Sequence, residues 1–339
     1  KHYKYCIELD LKKKSDLTSR NKTSLNIHSK EEKFMLKSPI VSFIGGGNIT
    51  SCLLNGLKKN QYPLESIVVS NKGQEKISDL SRKFGIKAAR SNLEAVEDAD
   101  VVILTAGMPR KPGMSRDELV GINAKIVKDV CAGIKQYAPQ SIVIVVCNPM
   151  DVMAVYAKQQ LGFPRERVLG MGGSLDSARF RAFIAEELNV SVKDVTGVVL
   201  GNHGDAMMPV VRTASVGSVP LVDLLSTEKI NALVARTKQA GAEIGGHLKT
   251  GSAFFAPSRG AVEMAEAILK DQKRILPCAV ELNGEFGVKD NLMVGVMCKL
   301  GGQGMEGIID FKMNADEKAE FDKSVEAVRA LVSTLKTVQ

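Results

Sequence analysis

Residues 38–50 read Ser-Pro-Ile-Val-Ser-Phe-Ile-Gly-Gly-Gly-Asn-Ile-Thr, an apolar run that ends in three glycines. The run predicts a buried strand, and residues 48–59 after the glycines predict a helix. A strand, a glycine turn and a helix together place backbone N–H groups at a helix N-terminus, where they can bind a pyrophosphate. We therefore expect a dinucleotide to contact four residues of this turn: Gly45, Gly47, Asn48 and Ile49.

The sixth position of the turn, Thr50, departs from the usual Gly-x-Gly-x-x-Gly pattern. Its branched side chain would lie where the helix and the strand approach closely, so we expect it to weaken dinucleotide binding. An ordinary tight turn without a ligand is the alternative interpretation of this stretch.

Further apolar runs alternate with helical segments along the first half of the chain. The predicted strands are Ile40–Ile44, Ile67–Ser70, Ile86–Ala89, Val101–Ala106, Ser141–Cys147 and Val168–Met171. Such alternation predicts an α/β fold with a doubly wound parallel sheet of the Rossmann type, which six strands complete.

The pattern changes after Gly172, and the second half predicts an α+β substrate domain. Its predicted helices are Thr227–Leu248, Ser258–Leu269 and about Asp316 to Leu335, and its predicted strands include Ala279–Leu282 and Leu292–Leu300. We expect three regions: a basic, disordered extension at 1–37, a dinucleotide-binding domain at 38–148 and a substrate domain at 149–339.

Composition restricts the possible functions. The chain has 339 residues, of which 44% are hydrophobic, and no apolar run approaches the roughly 18 residues of a membrane span. Six cysteines lie apart without a C-x-x-C pair, which predicts reduced thiols in a cytoplasmic compartment and no structural zinc site. Of the net charge of +8, residues 1–40 carry +5, so the rest is nearly balanced and nucleic-acid binding is not expected.

Chemistry-bearing residues cluster around His203, which lies between glycines directly after the apolar run 195–199. A histidine at a strand end can exchange a proton near neutral pH. Asp176 and Arg179 are three residues apart, which places them on one helix face. A plain helix salt bridge is the alternative for that pair.

Two arginines, Arg110 and Arg116, lie in a loop rich in proline and glycine between a strand and a helix. Guanidinium groups pair with carboxylates through two parallel hydrogen bonds, so this loop suits a small dicarboxylate and can exclude water on closing. A solvated basic loop is the alternative. No metal is needed for a reaction that uses these groups.

From about Asp100 to the C-terminus these motifs resemble malate dehydrogenases of the lactate-dehydrogenase-like kind. Residues 38 to about 100 resemble instead the nucleotide-binding start of pyrroline-5-carboxylate reductases. We therefore interpret the chain as a chimera with a seam near 97–102.

The resemblance implies roles for the individual site residues. Arg110 would bind the distal carboxylate of malate or oxaloacetate, Arg116 would polarise the reacting carbonyl, and Arg179 would bind the carboxylate next to it. Asp176 would orient His203, the general acid and base. Further implied contacts are those of Asn148 with the substrate and those of Val146, Asn148 and Asn123 with the nicotinamide.

The cofactor is expected to be NAD or NADP. A family member that uses NAD would carry an aspartate near the end of the second strand, where this chain has Ser70-Asn71-Lys72. A hydroxyl, an amide and a lysine can receive a 2′-phosphate, as the reductase resemblance implies for NADPH, although an indifferent polar loop is also possible.

The sequence thus predicts a malate dehydrogenase that acts as a homo-oligomer, a dimer or a tetramer, without nucleic-acid or membrane partners. The alternatives are a dehydrogenase of another 2-hydroxy acid such as lactate, a pyrroline-5-carboxylate reductase, a basic nucleic-acid binder, and an inactive or nucleotide-binding chimera.

Overall fold

The structure, a computed structural model, describes residues 39–59, 61–109, 114–249 and 253–337. The predicted extension at 1–37 therefore lies outside the described residues. Fourteen strands are present in that part of the chain: β1 (Val41–Ile44), β2 (Ile67–Ser70), β3 (Lys87–Ala88), β4 (Val101–Leu104), β5 (Ile142–Val145), β6 (Val168–Gly170), β7 (Val195–Thr196), β8 (Val199–Leu200), β9 (Met208–Pro209), β10 (Ser215–Val216), β11 (Val219–Pro220), β12 (Arg274–Glu281), β13 (Met293–Gly301) and β14 (Gly304–Ile308).

The α-helices of the described segments are α1 (Asn48–Lys59), α2 (Gln74–Phe84), α3 (Asn92–Val96), α4 (Arg116–Tyr137), α5 (Met150–Leu161), α6 (Gly173–Leu188), α7 (Leu221–Leu224), α8 (Thr227–Leu248), α9 (Phe255–Leu269) and α10 (Ala315–Ser333). The bounds of α1 and α8 agree with the sequence prediction, and α9 begins three residues earlier than predicted. No helix within the described ranges is both long and apolar enough to cross a bilayer.

The main sheet has the strand order β14-β13-β12-β6-β5-β4-β1-β2-β3. Its parallel part confirms the predicted doubly wound sheet, because β1 pairs with β2 on one side and with β4 on the other. All residues of β1, β4 and β5 are buried, as expected for strands with helices on both faces of the sheet.

The second half adds three antiparallel strands to this sheet beside β6. The first, β12, begins five residues before the predicted run. The sequence did not indicate this start, because its first two residues are exposed and one of them is Arg274. The last, β14, was not predicted, since its residues include two glycines and one glutamate. The sheet therefore continues past residue 148, and the domain boundary placed there stays a prediction.

Two hydrophobic clusters cover the two faces of the main sheet. One contains Phe43, Ile103 and Ile144, and the other contains Ile44, Leu104 and Val145. Neighbouring residues of one strand thus point to opposite faces, which explains why these strands read as continuous apolar runs. A third cluster, around Phe180, packs α6 against the small sheets of the second half.

Candidate active site

The carboxyl ends of β1, β4 and β5 meet at one edge of the sheet, where the chain leaves β1 and β4 on opposite sides. This is the switch point at which ligands bind in open α/β sheets. Asn148, three residues after β5, lines a cleft at this edge together with Arg179 and His203. The structure therefore brings three of the predicted substrate residues together.

The glycine turn after β1 has the geometry that a dinucleotide needs. Gly45 has φ of +116°, and a Cβ atom there would lie 2.6 Å from the Thr105 hydroxyl. Gly47 has open space around it, and the first turn of α1 carries no acidic residue. A bound pyrophosphate would thus meet backbone N–H groups without a repelling charge, and the turn fits the predicted contacts of Asn48 and Ile49.

Thr50, which the sequence predicts to disturb this turn, is fully buried and accommodated. Its hydroxyl donates to the carbonyl of Gly45 and lies 3.4 Å from the hydroxyl of Thr105. Thr105 in turn donates to the carbonyl of Ile44. The branched side chain therefore braces the turn instead of separating the helix from the strand.

At the end of the second strand, two of the predicted cofactor contacts have hydrogen-bond partners within the protein. Ser70 is 1% exposed and its hydroxyl donates to Asn92 over 2.7 Å, and its contact with a ribose or a phosphate stays a prediction. The Oδ1 atom of Asn71 accepts the N–H of Gly46 over 3.1 Å, so this side chain supports the glycine turn. Of the three predicted groups, Lys72 alone is exposed.

Asn123, a predicted cofactor contact, joins two backbone segments at the cleft. Its side chain is fully buried, donates to the carbonyl of Asn148 over 2.6 Å and accepts the N–H of Met108 over 2.7 Å. It therefore joins the loop after β4 to the segment after β5, and its predicted contact with the cofactor stays a prediction. Val146, whose N–H bonds to β4 through Leu104, is buried in that same segment.

His203 lies on the turn between β8 and β9, and the turn is joined to the main sheet. Gly201, with φ of +85°, donates to the carbonyl of Gly295 in β13 over 2.8 Å and accepts its N–H over 2.9 Å. A Cβ atom on Gly295 would lie 2.5 Å from the oxygen of Gly201, so the two backbones can approach this closely only with glycine.

The imidazole of His203 is paired with a buried carboxylate. Its Nδ1 atom lies 2.7 Å from Oδ2 of Asp176, whose residue is 1% exposed. Burial acts to lower the pKa of His203, but the charges of Asp176 and of Asp151 outweigh it, so the pKa is raised above the ordinary value. The imidazole therefore stays protonated to a higher pH than a free histidine.

Arg179 lies one helical turn from Asp176 on α6, as predicted, with Nη1 3.4 Å from Oδ1 of that carboxylate. Burial lowers its pKa from the ordinary value, and its Nε atom is buried without a hydrogen-bond partner. An arginine whose side chain lines a cleft is suited to bind a carboxylate there. The pair is thus more than a surface salt bridge.

Asp151, which the sequence analysis missed, lies on the other side of His203. Its Oδ2 atom accepts the backbone N–H of His203 over 2.8 Å, while Oδ1 is buried without a partner. Burial raises the pKa of Asp151 to about 6, and the nearby charge of Asp176 adds to this effect. Only its position three residues after Asn148 could have signalled this residue.

The two loop arginines cannot be placed as fully. Arg110 lies outside the described residues, and of Arg116 only the backbone, at the first position of α4, is described. Their predicted substrate contacts stay predictions. Within the described ranges no group of three or more histidine, cysteine, aspartate or glutamate side chains could hold a metal ion.

Comparison with known proteins identifies the family. Residues 41–170 match the model of the lactate/malate dehydrogenase NAD binding domain, and residues 173–338 match that of the lactate/malate dehydrogenase alpha/beta C-terminal domain. The chain belongs to the lactate/malate dehydrogenase family. The first of these matches crosses the expected seam at 97–102, so the chimeric origin stays a prediction that the fold does not require.

Members of this family from several organisms are similar over nearly their whole length. A malate dehydrogenase of Geotalea daltonii is 48% identical over 314 residues, which cover 87% of this chain and 98% of that protein. The structure of Cryptosporidium parvum malate dehydrogenase has a TM-score of 0.83 and 38% identity, covering 89% of this chain and 100% of that one. A lactate dehydrogenase of the same organism, complexed with lactic acid and nicotinamide adenine dinucleotide, has a TM-score of 0.83 and 34% identity, covering 89% and 99%.

We expect the variant Asp176→Asn to lower the pKa of His203, because this carboxylate both attracts and hydrogen-bonds the protonated imidazole. The measurement is the rate at which diethyl pyrocarbonate acylates His203 at different pH values, followed by mass spectrometry. The reagent attacks neutral imidazole, so the acylation rate of His203 rises as the ring loses its proton. The midpoint of this rise should lie above about pH 6.5 in the parent and at a lower pH in the variant. Exposed His247 in the same sample provides the internal reference, and equal midpoints in both proteins would contradict the pairing.

Proposed function

We propose that this protein is a malate dehydrogenase, which transfers a hydride reversibly between (S)-malate and a nicotinamide cofactor, with oxaloacetate as the other product. The observation that carries the proposal is the His203–Asp176 pair beside Arg179 in the cleft at the switch point of the sheet. The names of similar proteins support the substrate class.

His203 is the proposed general base for malate oxidation and the general acid for oxaloacetate reduction. Its Nδ1 atom is engaged by Asp176, which leaves Nε2 to take the proton of the C2 hydroxyl. The buried carboxylate then stabilises the imidazolium that forms. In the reverse direction the same Nε2–H donates a proton to the carbonyl oxygen.

Arg179 is the proposed partner of the C1 carboxylate, because its side chain lines the cleft together with His203 and Asn148. Asn148 would donate its side-chain amide to the substrate. Arg116 would polarise the carbonyl from the start of α4, and Arg110 would bind the second carboxylate that distinguishes malate from lactate.

The cofactor supplies the hydride acceptor or donor when it is bound. The glycine turn would hold its pyrophosphate, and Val146 and Asn148 would lie near its nicotinamide ring. Since Ser70-Asn71-Lys72 contains no carboxylate, we further propose that NADPH binds at least as tightly as NADH, with exposed Lys72 as the group that meets a 2′-phosphate.

We also propose a reducing, cytoplasm-like compartment and a homo-oligomeric state. Cys52, Cys131, Cys147, Cys278 and Cys298 are free thiols. Apolar side chains such as those of Val222 and Phe255, which are 56% and 72% exposed, are suited to contact a second copy of the chain.

We expect His203→Asn to reduce oxaloacetate-dependent oxidation of the cofactor by about 10²–10⁴-fold, because a positioned general acid contributes this much to the rate. Cofactor binding should change little, since His203 is on the substrate side of the cleft. Steady-state rates and a fluorescence titration measure the two effects, and near-normal turnover at neutral pH would remove the basis of the mechanism.

For substrate choice, we expect Arg110→Gln to shift the preference from oxaloacetate toward pyruvate. Loss of a charge-assisted hydrogen bond leaves the second carboxylate unpaired, which costs about 1.5–3 kcal/mol. The ratio of kcat/KM values for the two keto acids measures the shift. Lys111→Gln, a change of the adjacent cation, is the matched control and should leave this ratio unchanged, whereas an unchanged ratio in Arg110→Gln would show that Arg110 does not face the substrate.

For the cofactor, we expect Lys72→Met to weaken binding of NADPH while leaving NADH unaffected. One lost phosphate contact corresponds to about 1.5–3 kcal/mol. Fluorescence titration of both reduced cofactors measures this difference, with Lys76→Met, another exposed lysine nearby, as the control. Clearly tighter binding of NADH than of NADPH to the parent would refute the proposed preference.

A further inference from the structure

The turn that carries His203 is held by side chains outside the catalytic cluster. The backbone N–H of Asn202 donates to Oγ of Ser324 over 2.6 Å, and that of His203 donates to Oδ2 of Asp151 over 2.8 Å. Ser324 belongs to α10 and Asp151 to α5, two helices that are far apart in the sequence. The turn is thus fixed from two directions in addition to its bridge to β13.

We propose that Asp151 and Ser324 are positioning residues for the proton transfer by His203, and that Asp151 alone also contributes its charge at the imidazole. This inference rests on the proposed function. Neither residue would touch the substrate, because Asp151 and Ser324 are both buried and neither lines the cleft that contains Asn148, Arg179 and His203.

Ser324 acts without a charge. It is fully buried, and its hydroxyl also lies 3.4 Å from Oδ1 of Asn202, to which it can donate while accepting the Asn202 N–H. A Cβ atom on Gly201 would lie 2.2 Å from this hydroxyl, so the turn and α10 are in close contact. Removal of the hydroxyl would leave a buried N–H without a partner and loosen the turn.

Asp151 acts through both its hydrogen bond and its charge. It lies in the first turn of α5, where the helix dipole favours an anion, and it is 2% exposed. Oδ1 has no partner, so His203 is the only hydrogen-bond donor to this carboxylate among the described residues. The carboxylate therefore faces the proton-transferring residue with little screening by water.

Several charged groups surround His203 from the packed elements. Asp176 and Arg179 face it from α6, Asp151 faces it from α5, and Asp205 lies on its own turn. Asp176 and Asp151 raise the pKa of His203, whereas Arg179 lowers it. Loss of the Asp151 charge should therefore shift the titration of His203 to lower pH, while loss of the Ser324 hydroxyl should not.

The test compares Asp151→Asn with Ser324→Ala. In Asp151→Asn an oxygen can still accept the His203 N–H, so the charge is removed while the acceptor is kept. We expect the midpoint of His203 acylation by diethyl pyrocarbonate to move to lower pH, and the alkaline limb of oxaloacetate reduction to move in the same direction. In Ser324→Ala we expect kcat to fall on the order of tenfold, with an unchanged midpoint and an unchanged KM for the cofactor.

Matched controls separate these effects from general disturbance. Asp316→Asn makes the same change in the first turn of another helix, and Ser333→Ala removes an exposed hydroxyl from α10. Neither control should change the midpoint or kcat. Hydrogen exchange of the backbone amides at 201–203 should become faster in Ser324→Ala and stay as in the parent in Ser333→Ala.

Acylation and hydrogen exchange do not depend on turnover, so the inference can be judged separately from the proposed function. A parent that does not reduce oxaloacetate refutes the proposed function, whereas the two physical readouts still report on the turn. An unchanged midpoint in Asp151→Asn refutes the electrostatic role of Asp151. Unchanged exchange, or an unchanged kcat in an active parent, refutes the positioning role of Ser324.

Discussion

The parallel pairing of β1 with both β2 and β4 is the constraint on which the rest of the molecule depends. Because the chain leaves β1 and β4 in opposite directions, a crevice forms at their carboxyl ends. The glycine turn lies on one side of that crevice, and the segment from Val146 to Asn148 lies on the other. Asn123 joins the loop after β4 to this segment, so the cofactor and substrate sides share one buried support.

The candidate site contains several charged side chains that are buried from solvent. Asp151, Asp176 and Arg179 are all buried, and each would be costly in this setting without a partner. The carboxylates obtain partners from His203, through its ring in one case and its backbone in the other. Arg179 contacts Oδ1 of Asp176, while its Nε atom stays buried without a partner.

The sequence predicted those parts of the fold and the site in which local chemistry and spacing agree. Continuous apolar runs predicted the parallel strands, and the three-residue spacing of Asp176 and Arg179 predicted their shared helix face. Long-range contacts were not predictable: Ser70 is turned toward Asn92, and Asp151 meets His203 from 52 residues away. The hydrophobic periodicity of the sequence does not predict such contacts, because they depend on how separate elements pack. The short strand β14 was not predicted because it has few apolar residues.

The double hydrogen bond between Gly201 and Gly295 joins the turn that carries His203 to the main sheet. A loop that contacts only solvent and its own neighbours can open locally at little cost, whereas this turn shares backbone bonds with β13, a strand buried along most of its length. Opening the turn would therefore disturb β13, which lies between β14 and β12 in the nine-stranded sheet. On heating, we therefore expect the geometry around His203 to be lost together with the sheet, in global unfolding and not in an earlier local event.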